Sequence, residues 1–387
     1  MMHTLIARTG EVDDIDAAID EIRGQIDFDT QLLKNTVGII ACHYEFVESG
    51  MAKEVCSALP FEVVGTISPA QAVPVESGTM LFTLMVLTSD DVVFHVELTD
   101  PLHGDCGTII EQAYKNATVG ITARPALLFV FGSFMIENSG DNYVNAITRV
   151  SGGVPCFGTL SVDDSADFEH CYLIKDGEFY ANRLAMLMIY GDLSPKFYIA
   201  TISENKVLDK PALITSSDGH ILKEVNGRPV VEYFEDLGLT KASETMYAMS
   251  SLPFMLDYGD GTPPVSKVFI GLSDEKSAIC AGYMPEGATL KIGVFDKDDV
   301  LRTTGDAIQK MMSELESASG VLIYSCIARN MSLGADQLAE ADLIRELLGE
   351  NIGFMMAYSG GEFCPTQLSD DIAINRFHNN SIVICAF

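Results

Sequence analysis

The sequence has no tryptophan, no Cys-x-x-Cys pair and few basic residues. Its 24 Lys and Arg stand against 55 Asp and Glu, a formal net charge of −31. The shortage of cations excludes nucleic acid as a partner, because phosphates would be repelled. It excludes an anionic membrane surface on the same ground. No apolar run approaches the roughly 18 residues of a spanning helix. The longest runs, residues 80–87 and 185–190, have strand length. The first ten residues lack a basic stretch followed by an apolar core, so no signal peptide is expected. The nine cysteines are odd in number and scattered. That fits reduced, buried thiols and predicts a cytoplasmic protein. His43, His95, His103 and His170 are dispersed, without His-Glu-x-x-His spacing. Neither a metal nor another cofactor is therefore expected. The missing tryptophan decides nothing about function.

What is present is apolar. Hydrophobic residues make up 48% of the 387 and charged residues 20%, enough for a large core spread over more than one domain. Residues 12–26 carry an apolar stripe at helical spacing. Residues 36–41 and 61–67 read as strands, with a short helix over 50–59 between them. Residues 79–87 and 92–98 read as a hairpin around Ser89-Asp90. The pattern then recurs. Residues 126–131 read as a strand, 141–150 as a helix and 154–160 as a strand, with a hairpin turn at Asp176-Gly177. Phe61-Glu-Val-Val-Gly-Thr-Ile-Ser68 lines up with Val154-Pro-Cys-Phe-Gly-Thr-Leu-Ser161. A third copy fits strand 321–324, helix 335–348, strand 352–358 and closing strand 382–387. One strand–helix–strand–hairpin unit is thus expected three times. Between copies two and three, Asp218-Gly219 and Asn226-Gly227 mark tight turns. Residues 252–264, rich in Pro, Gly and Asp, read as a domain joint. A helix is expected from about 298 to 316. Helices and hairpins mixed in this way predict an α+β (mixed α/β) fold of two domains. Each would have largely antiparallel sheets with helices on the outer faces.

Three polar clusters sit at the ends of apolar strands near the C-terminus: Tyr324-Ser-Cys-Ile-Ala-Arg329, Tyr358-Ser-Gly-Gly-Glu-Phe-Cys-Pro365 and Arg376-Phe-His-Asn-Asn-Ser381. Polar side chains at strand ends are how α/β proteins build ligand pockets. One cation, one anion, amides and a Ser-Gly-Gly turn suit a small zwitterion. Arg329 offers a planar fork for a carboxylate; alternatively it forms a structural ion pair with Glu340 or Glu346. Glu362 could accept a ligand ammonium, or stabilise its own turn. Ser325, Ser359, Asn379 and the backbone of Gly360 and Gly361 complete the candidate ligand set, with Cys326 and His378 beside them. His378 reads equally as a satisfied buried histidine. A second class of function makes Cys326 a nucleophile and His378 its base, acting on a small acyl compound. No nucleophile signature surrounds Cys326, and the chain is read as a non-enzyme.

The same clusters resemble the FIST family. The resemblance runs from about residue 30 to 387. Its motifs are Ser325-Cys326 with Arg329, Gly353-Phe354, Gly361-Glu362, Phe377-His378-Asn379, and the turn-plus-helix segment 226–238. It implies a FIST N-terminal domain over residues 1–238 and a FIST C-terminal domain over 239–387. It also implies a bacterial intracellular sensor of signal transduction that binds a small ligand, with amino acids favoured. Output would pass to a partner such as a histidine kinase, cyclase or chemotaxis receptor. The chain departs from the family at Gly65-Thr-Ile-Ser-Pro-Ala-Gln71, where a Gly-Glu ending is usual.

Overall fold

The computed structural model describes residues 2–134, 138–165, 168–239, 252–315, 317–369 and 372–387. The chain begins with β1 (Met2–Thr9) and α1 (Ile15–Gln25), whose first turn is capped by the Asp14 carboxylate accepting from the Ala17 N–H at 3.1 Å. The first unit follows: β2 (Asn35–Cys42), α2 (Glu45–Glu48), α3 (Met51–Ser57), β3 (Glu62–Ile67), the hairpin β4 (Gln71–Val73) and β5 (Glu76–Gly78), β6 (Phe82–Ser89) and β7 (Val93–Leu98). After α4 (Cys106–Ala117) comes the second: β8 (Leu127–Ser133), α5 (Gly140–Ser151), β9 (Cys156–Ser161), the hairpin β10 (Leu173–Lys175) and β11 (Glu178–Tyr180), β12 (Leu184–Tyr190) and β13 (Lys196–Ala200).

A stretch of short strands and one helix intervenes: β14 (Ala212–Asp218), β15 (Ile221–Val225), β16 (Arg228–Pro229), α6 (Val230–Asp236), β17 (Phe254–Asp257), β18 (Val265–Lys267), β19 (Phe269–Leu272), β20 (Ala278–Cys280) and β21 (Thr289–Ile292). Then α7 (Lys297–Glu314) leads into the third unit: β22 (Val321–Cys326), α8 (Ile327–Ser332), α9 (Ala339–Leu348), β23 (Phe354–Ser359), the hairpin β24 (Glu362–Ser369) and β25 (Ile372–His378), and β26 (Ile382–Ala386).

The threefold repetition read from the sequence is the organising feature of the structure. Three six-stranded sheets run β1-β6-β2-β3-β10-β11, β7-β12-β8-β9-β24-β25 and β13-β26-β22-β23-β4-β5. Each has one parallel pair at its centre, β2–β3, β8–β9 and β22–β23, crossed over by helices. All other pairings are antiparallel. Each unit lends its hairpin to a neighbour's sheet: β4 pairs with β23, β10 with β3, and β24 with β9. The strand after the hairpin's return is lent too, β7 to β12 and β13 to β26. The hairpin expected around Ser89-Asp90 therefore does not form. β6 lies between β1 and β2, and β7 crosses to another sheet. The turn at Asp176-Gly177 does join β10 to β11, both residues having positive φ.

Both faces of every sheet are covered. A central core takes Ile39 and Met85 from the first sheet, Phe129 and Phe157 from the second, and Leu322 and Tyr324 from the third. Outer cores lie under α1 and α3, under α4 and α5, and under α7 and α9. Double burial explains why the strands read as near-continuous apolar runs without alternation. The repeated Gly of the aligned segments has a steric origin. A Cβ on Gly65 would lie 1.9 Å from the Ile40 carbonyl oxygen, and one on Gly158 would lie 1.9 Å from that of Val130.

The intervening strands form a fourth sheet, β18-β17-β21-β14-β15-β20-β19, with β16 against β15. The expected division after residue 238 passes through this sheet, since β14 and β15 precede it and β17 to β21 follow it. Residues 252–264 were expected to be a joint, yet they supply β17, bonded to β18 and β21. Turn residues at 257–264 sit at the tip of that hairpin, which accounts for the joint-like composition.

The fourth sheet is pinned to the three-unit body by a buried ion pair. Lys267, fully buried, donates to both Asp141 carboxylate oxygens at 2.9 and 3.0 Å and to the Phe377 carbonyl at 2.6 Å. Tyr283 N–H adds a bond to Asp141 at 2.8 Å. Burial lowers the Lys267 ammonium, and the Asp141 carboxylate opposes that effect. Removing one partner of such a pair strands the other charge. Lys267→Met is expected to lower the unfolding free energy by about 3–5 kcal/mol, read from the denaturant midpoint, whereas Lys267→Met with Asp141→Leu should recover much of the loss.

Candidate functional site

The ends of β3, β9 and β23 meet at the middle of the three-unit body. The Ile67 N–H donates to the Ser161 hydroxyl at 3.1 Å, the Gly360 N–H to the Leu160 carbonyl at 2.8 Å, and the Tyr358 N–H to the Ala70 carbonyl at 3.2 Å. The three C-terminal clusters gather beside this junction, and every candidate residue among them carries a hydrogen bond within the protein or a place in a cavity wall.

Arg329 is fully buried and internally engaged. Its Nε donates to Glu340 at 2.9 Å and its terminal nitrogens to the Thr201 carbonyl at 3.1 Å, the Val300 carbonyl at 3.0 Å, Thr303 at 3.2 Å and Thr304 at 2.7 Å. Glu340, also fully buried, accepts from Ser325 at 2.8 Å and from Thr304 at 2.5 Å. Of the two readings of Arg329, the geometry supports the structural ion pair with Glu340. The pair locks α8 and α9 to α7 and to the chain after β13. Arg329→Met is expected to cost about 3–5 kcal/mol by leaving Glu340 charged and unpaired. An arginine that only met ligand would leave the unfolding midpoint almost unchanged, so chemical denaturation separates the two roles.

Glu362 forms a second closed network. Ser359 and Ser381 hydroxyls both donate to its carboxylate, Ser381 at 2.6 Å, and the Gly361 N–H donates to Ser359 at 3.1 Å. Burial pushes the carboxyl up to about 8, against the lowering effect of those hydroxyls. The folded chain therefore holds a proton on Glu362 that the unfolded chain releases above its ordinary pKa of 4.5. The stability supplied by that proton is full below pH 4.5 and is lost as pH rises towards 8. Glu362→Gln is expected to flatten the fall in stability between these limits, by up to ~1.4 kcal/mol per pH unit, in denaturation series run at stepped pH.

The thiol and the imidazole of the enzyme reading are spent separately. Cys326 is buried, and burial raises its thiol well above the ordinary value; Glu362 raises it further, against N–H bonds from Ala328 and Asn380. The ring of His378 bonds the Cys364 carbonyl through Nε2 at 3.1 Å. Burial, helped by Lys267, lowers it to about 3, so it is neutral near pH 7. Among the described residues its Nδ1 has no hydrogen-bond partner. Among the described residues no group of three or more His, Cys, Asp or Glu side chains could hold a metal. No helix among them is long and apolar enough to cross a membrane.

Two cavities flank these networks. A small one, about 50 Å³, is walled in part by Cys326, Gly360 and Asn379. A large cleft, about 1280 Å³, lies between the three-unit body and the fourth sheet. Its walls include β13, the charged face of α7 (Arg302, Asp306, Lys310), Lys291 and Thr289 of β21, Thr366 of β24, and His378. Arg329 does not line the cleft. It holds the Thr201 carbonyl and the Thr303 hydroxyl, two residues that do. The expected zwitterion site is thus redistributed. Ser325, Arg329, Ser359 and Glu362 form its internal frame, Gly361 bonds within the central junction, Cys326, Gly360 and Asn379 face the small cavity, and His378 faces the cleft. Arg302, Asp306 and Lys310 were missed, although their spacing of four on a helix put them on one face. Arg302 is engaged by Asp299 and Ser203, while Lys310 has no ion-pair partner among the described residues.

A mixed α/β protein with a polar cleft between two domains is the class that this fold defines. The sequence matches the FIST N domain model over residues 36–228 and the FIST C domain model over 230–365. The chain belongs to the FIST family, whose domains are sensory modules of signal transduction. No curated protein is similar to it. Among solved structures it is similar to a cyanuric acid hydrolase from A. caulinodans, with 10% identity over 100% of this chain and 99% of that one, at a TM-score of 0.35. It is also similar to phosphoribosylformylglycinamidine synthase II from Thermotoga maritima, with 9% identity over 100% of this chain and 71% of that one, at 0.21. Likenesses at these scores carry no argument for either fold or function.

Proposed function

We propose that the chain senses a small carboxylate ligand, an amino acid or similar compound, bound in the cleft between the three-unit body and the fourth sheet. The observation that carries this reading is the composition of the cleft wall. It brings Lys310, Arg302 and Lys291 together with Asp306, Asp257 and Thr303 on surfaces from both domains. Lys310 and Arg302 supply charge for a carboxylate. His378 Nδ1, a buried acceptor without a partner among the described residues, suits an ammonium or hydroxyl donor. Buried acceptors that go unbonded in the free protein favour whatever bonds them.

A cleft of about 1280 Å³ exceeds the usual volume of a drug-sized site, roughly 300–1,000 Å³. A bound amino acid would fill only part of it. Binding is therefore coupled to closure of the fourth sheet towards α7 and β13, a change that a partner can read. We assign the output to a separate signalling protein, such as a histidine kinase, cyclase or chemotaxis receptor, acting in the cytoplasm.

A thermal-shift screen of amino acids and small carboxylates tests the reading. A true ligand at 100 times its dissociation constant should add about 2.7 kcal/mol of stability. Lys310→Ala combined with Arg302→Ala should weaken that ligand at least ~10-fold, the equivalent of about 1.4 kcal/mol. A panel without a hit, or a hit indifferent to both substitutions, would remove the cleft as the sensing site.

A further inference from the structure

The cleft follows an open strand edge. Every residue from 197 to 205 lines it. Successive side chains of a strand point to opposite faces, and both faces of β13 are already occupied. Phe197 and Ile199 pack on the central core, Tyr198 and Ala200 on the outer core under α7 and α9. A space that touches all four therefore runs along the edge of the strand. On its other edge β13 pairs with β26, and among the described residues no strand pairs with the edge in the cleft. The unpaired backbone N–H and C=O groups of such an edge are a template for a further strand. Opposite stands one face of the fourth sheet, where Met255 lies beside Lys291 and Asp257 beside Thr289.

The helical wall supplies a direction. α7 runs antiparallel to β13: the Ser203 N–H donates to Asp299 at 3.2 Å beyond the end of the strand, and Lys196 Nζ donates to the Glu314 carbonyl at 2.8 Å at its start. Arg302, Asp306 and Lys310 are thus spread along the edge, the two cations roughly 12 Å apart at a rise of about 1.5 Å per residue. Arg302, at the far end, is held by Asp299 and Ser203, whereas Lys310, towards the start of β13, has no ion-pair partner among the described residues. The five residues of β13 extend about 17 Å, a length that four or five residues of an added strand would match. We propose that the ligand of the cleft is a short peptide, which adds to β13 as an antiparallel strand with its C-terminal carboxylate at Lys310. This rests on the reading of the cleft as a carboxylate site and names what the carboxylate is attached to. Main-chain bonds along the edge give affinity, and the fourth sheet covers the added strand.

Calorimetric titration of the full chain with alanine, tetra-alanine, its C-terminal amide and two N-methylated forms tests this. Tetra-alanine should bind at least ~10-fold tighter than alanine, through several added main-chain bonds. Lys310, exposed on α7, can be changed without disturbing the core. Lys310→Ala should weaken tetra-alanine and leave the amide unchanged. Donors of an antiparallel strand face a given neighbour at alternate residues. N-methylation at one of residues 2 and 3 of the peptide should therefore weaken binding about 5-fold or more, and at the other leave it nearly unchanged. Tetra-alanine no tighter than alanine, with alanine still bound and still sensitive to Lys310→Ala, overturns the peptide and leaves the carboxylate site standing. Losses at both methylated positions, or at neither, overturn strand addition. Equal binding of acid and amide removes the carboxylate site and this proposal with it. No binding by any of these probes overturns the proposal, and the wider panel of amino acids and carboxylates then decides the cleft separately.

Discussion

No sheet of the three-unit body is made by one unit alone, and the remainder of the structure depends on this exchange of strands. Each unit contributes a strand–helix–strand pair and a return strand, then gives its hairpin to one neighbour and its last strand to the other. β1 completes the cycle by taking, beside β6, the place that β7 and β13 take beside β12 and β26. The exchange brings the ends of β3, β9 and β23 to one point and encloses a common core between three sheets. It also places the residues of all three C-terminal clusters against strands from other units, which is why they are buried and not presented as a surface pocket.

Much of this was legible in the sequence. The repeat showed because Gly65 and Gly158 face the same obstacle, a carbonyl oxygen of the adjacent parallel strand, and no other residue fits there. Helices showed through their apolar stripes, and the turn at Asp176-Gly177 through its need for positive φ. The partners of the strands were not legible. β6 and β7 are joined by a short connection, and nothing in their side chains says that they enter different sheets. Local pattern fixes the element, but pairing depends on residues hundreds of positions away. The same limit applied to the site. Arg329, Glu362 and the serines stood out in the sequence as polar groups beside apolar strands. Their satisfaction by Glu340, by one another and by backbone carbonyls is a matter of packing. The cleft residues on α7 carried a visible periodicity, but a charged helix face is ordinarily just solvated.

The segment 377–380 connects the parts of the molecule that a sensor would need to couple. The Phe377 carbonyl and ring receive Lys267 from the fourth sheet. His378 forms part of the cleft wall, Asn379 part of the small cavity, and Asn380, in a left-handed conformation, bonds the Cys326 thiol through its backbone. Four consecutive residues thus touch both cavities, the ion pair that pins the two domains, and the edge of the Glu362 network.

The lent hairpins have a consequence for the order in which the chain can fold. Ala72 of β4 pairs with Met356, Gly158 of β9 with Phe363, and Tyr198 of β13 with Ile384. During synthesis these edges emerge long before their partners exist. Each presents open backbone donors and acceptors, flanked by apolar side chains, until its partner among residues 356–386 has been made. Such non-local pairing is slow to form and exposed to association while it waits. Completion of β22 to β26 is therefore the step that closes the second and third sheets, whereas the first sheet, built from residues 2–180, needs none of them.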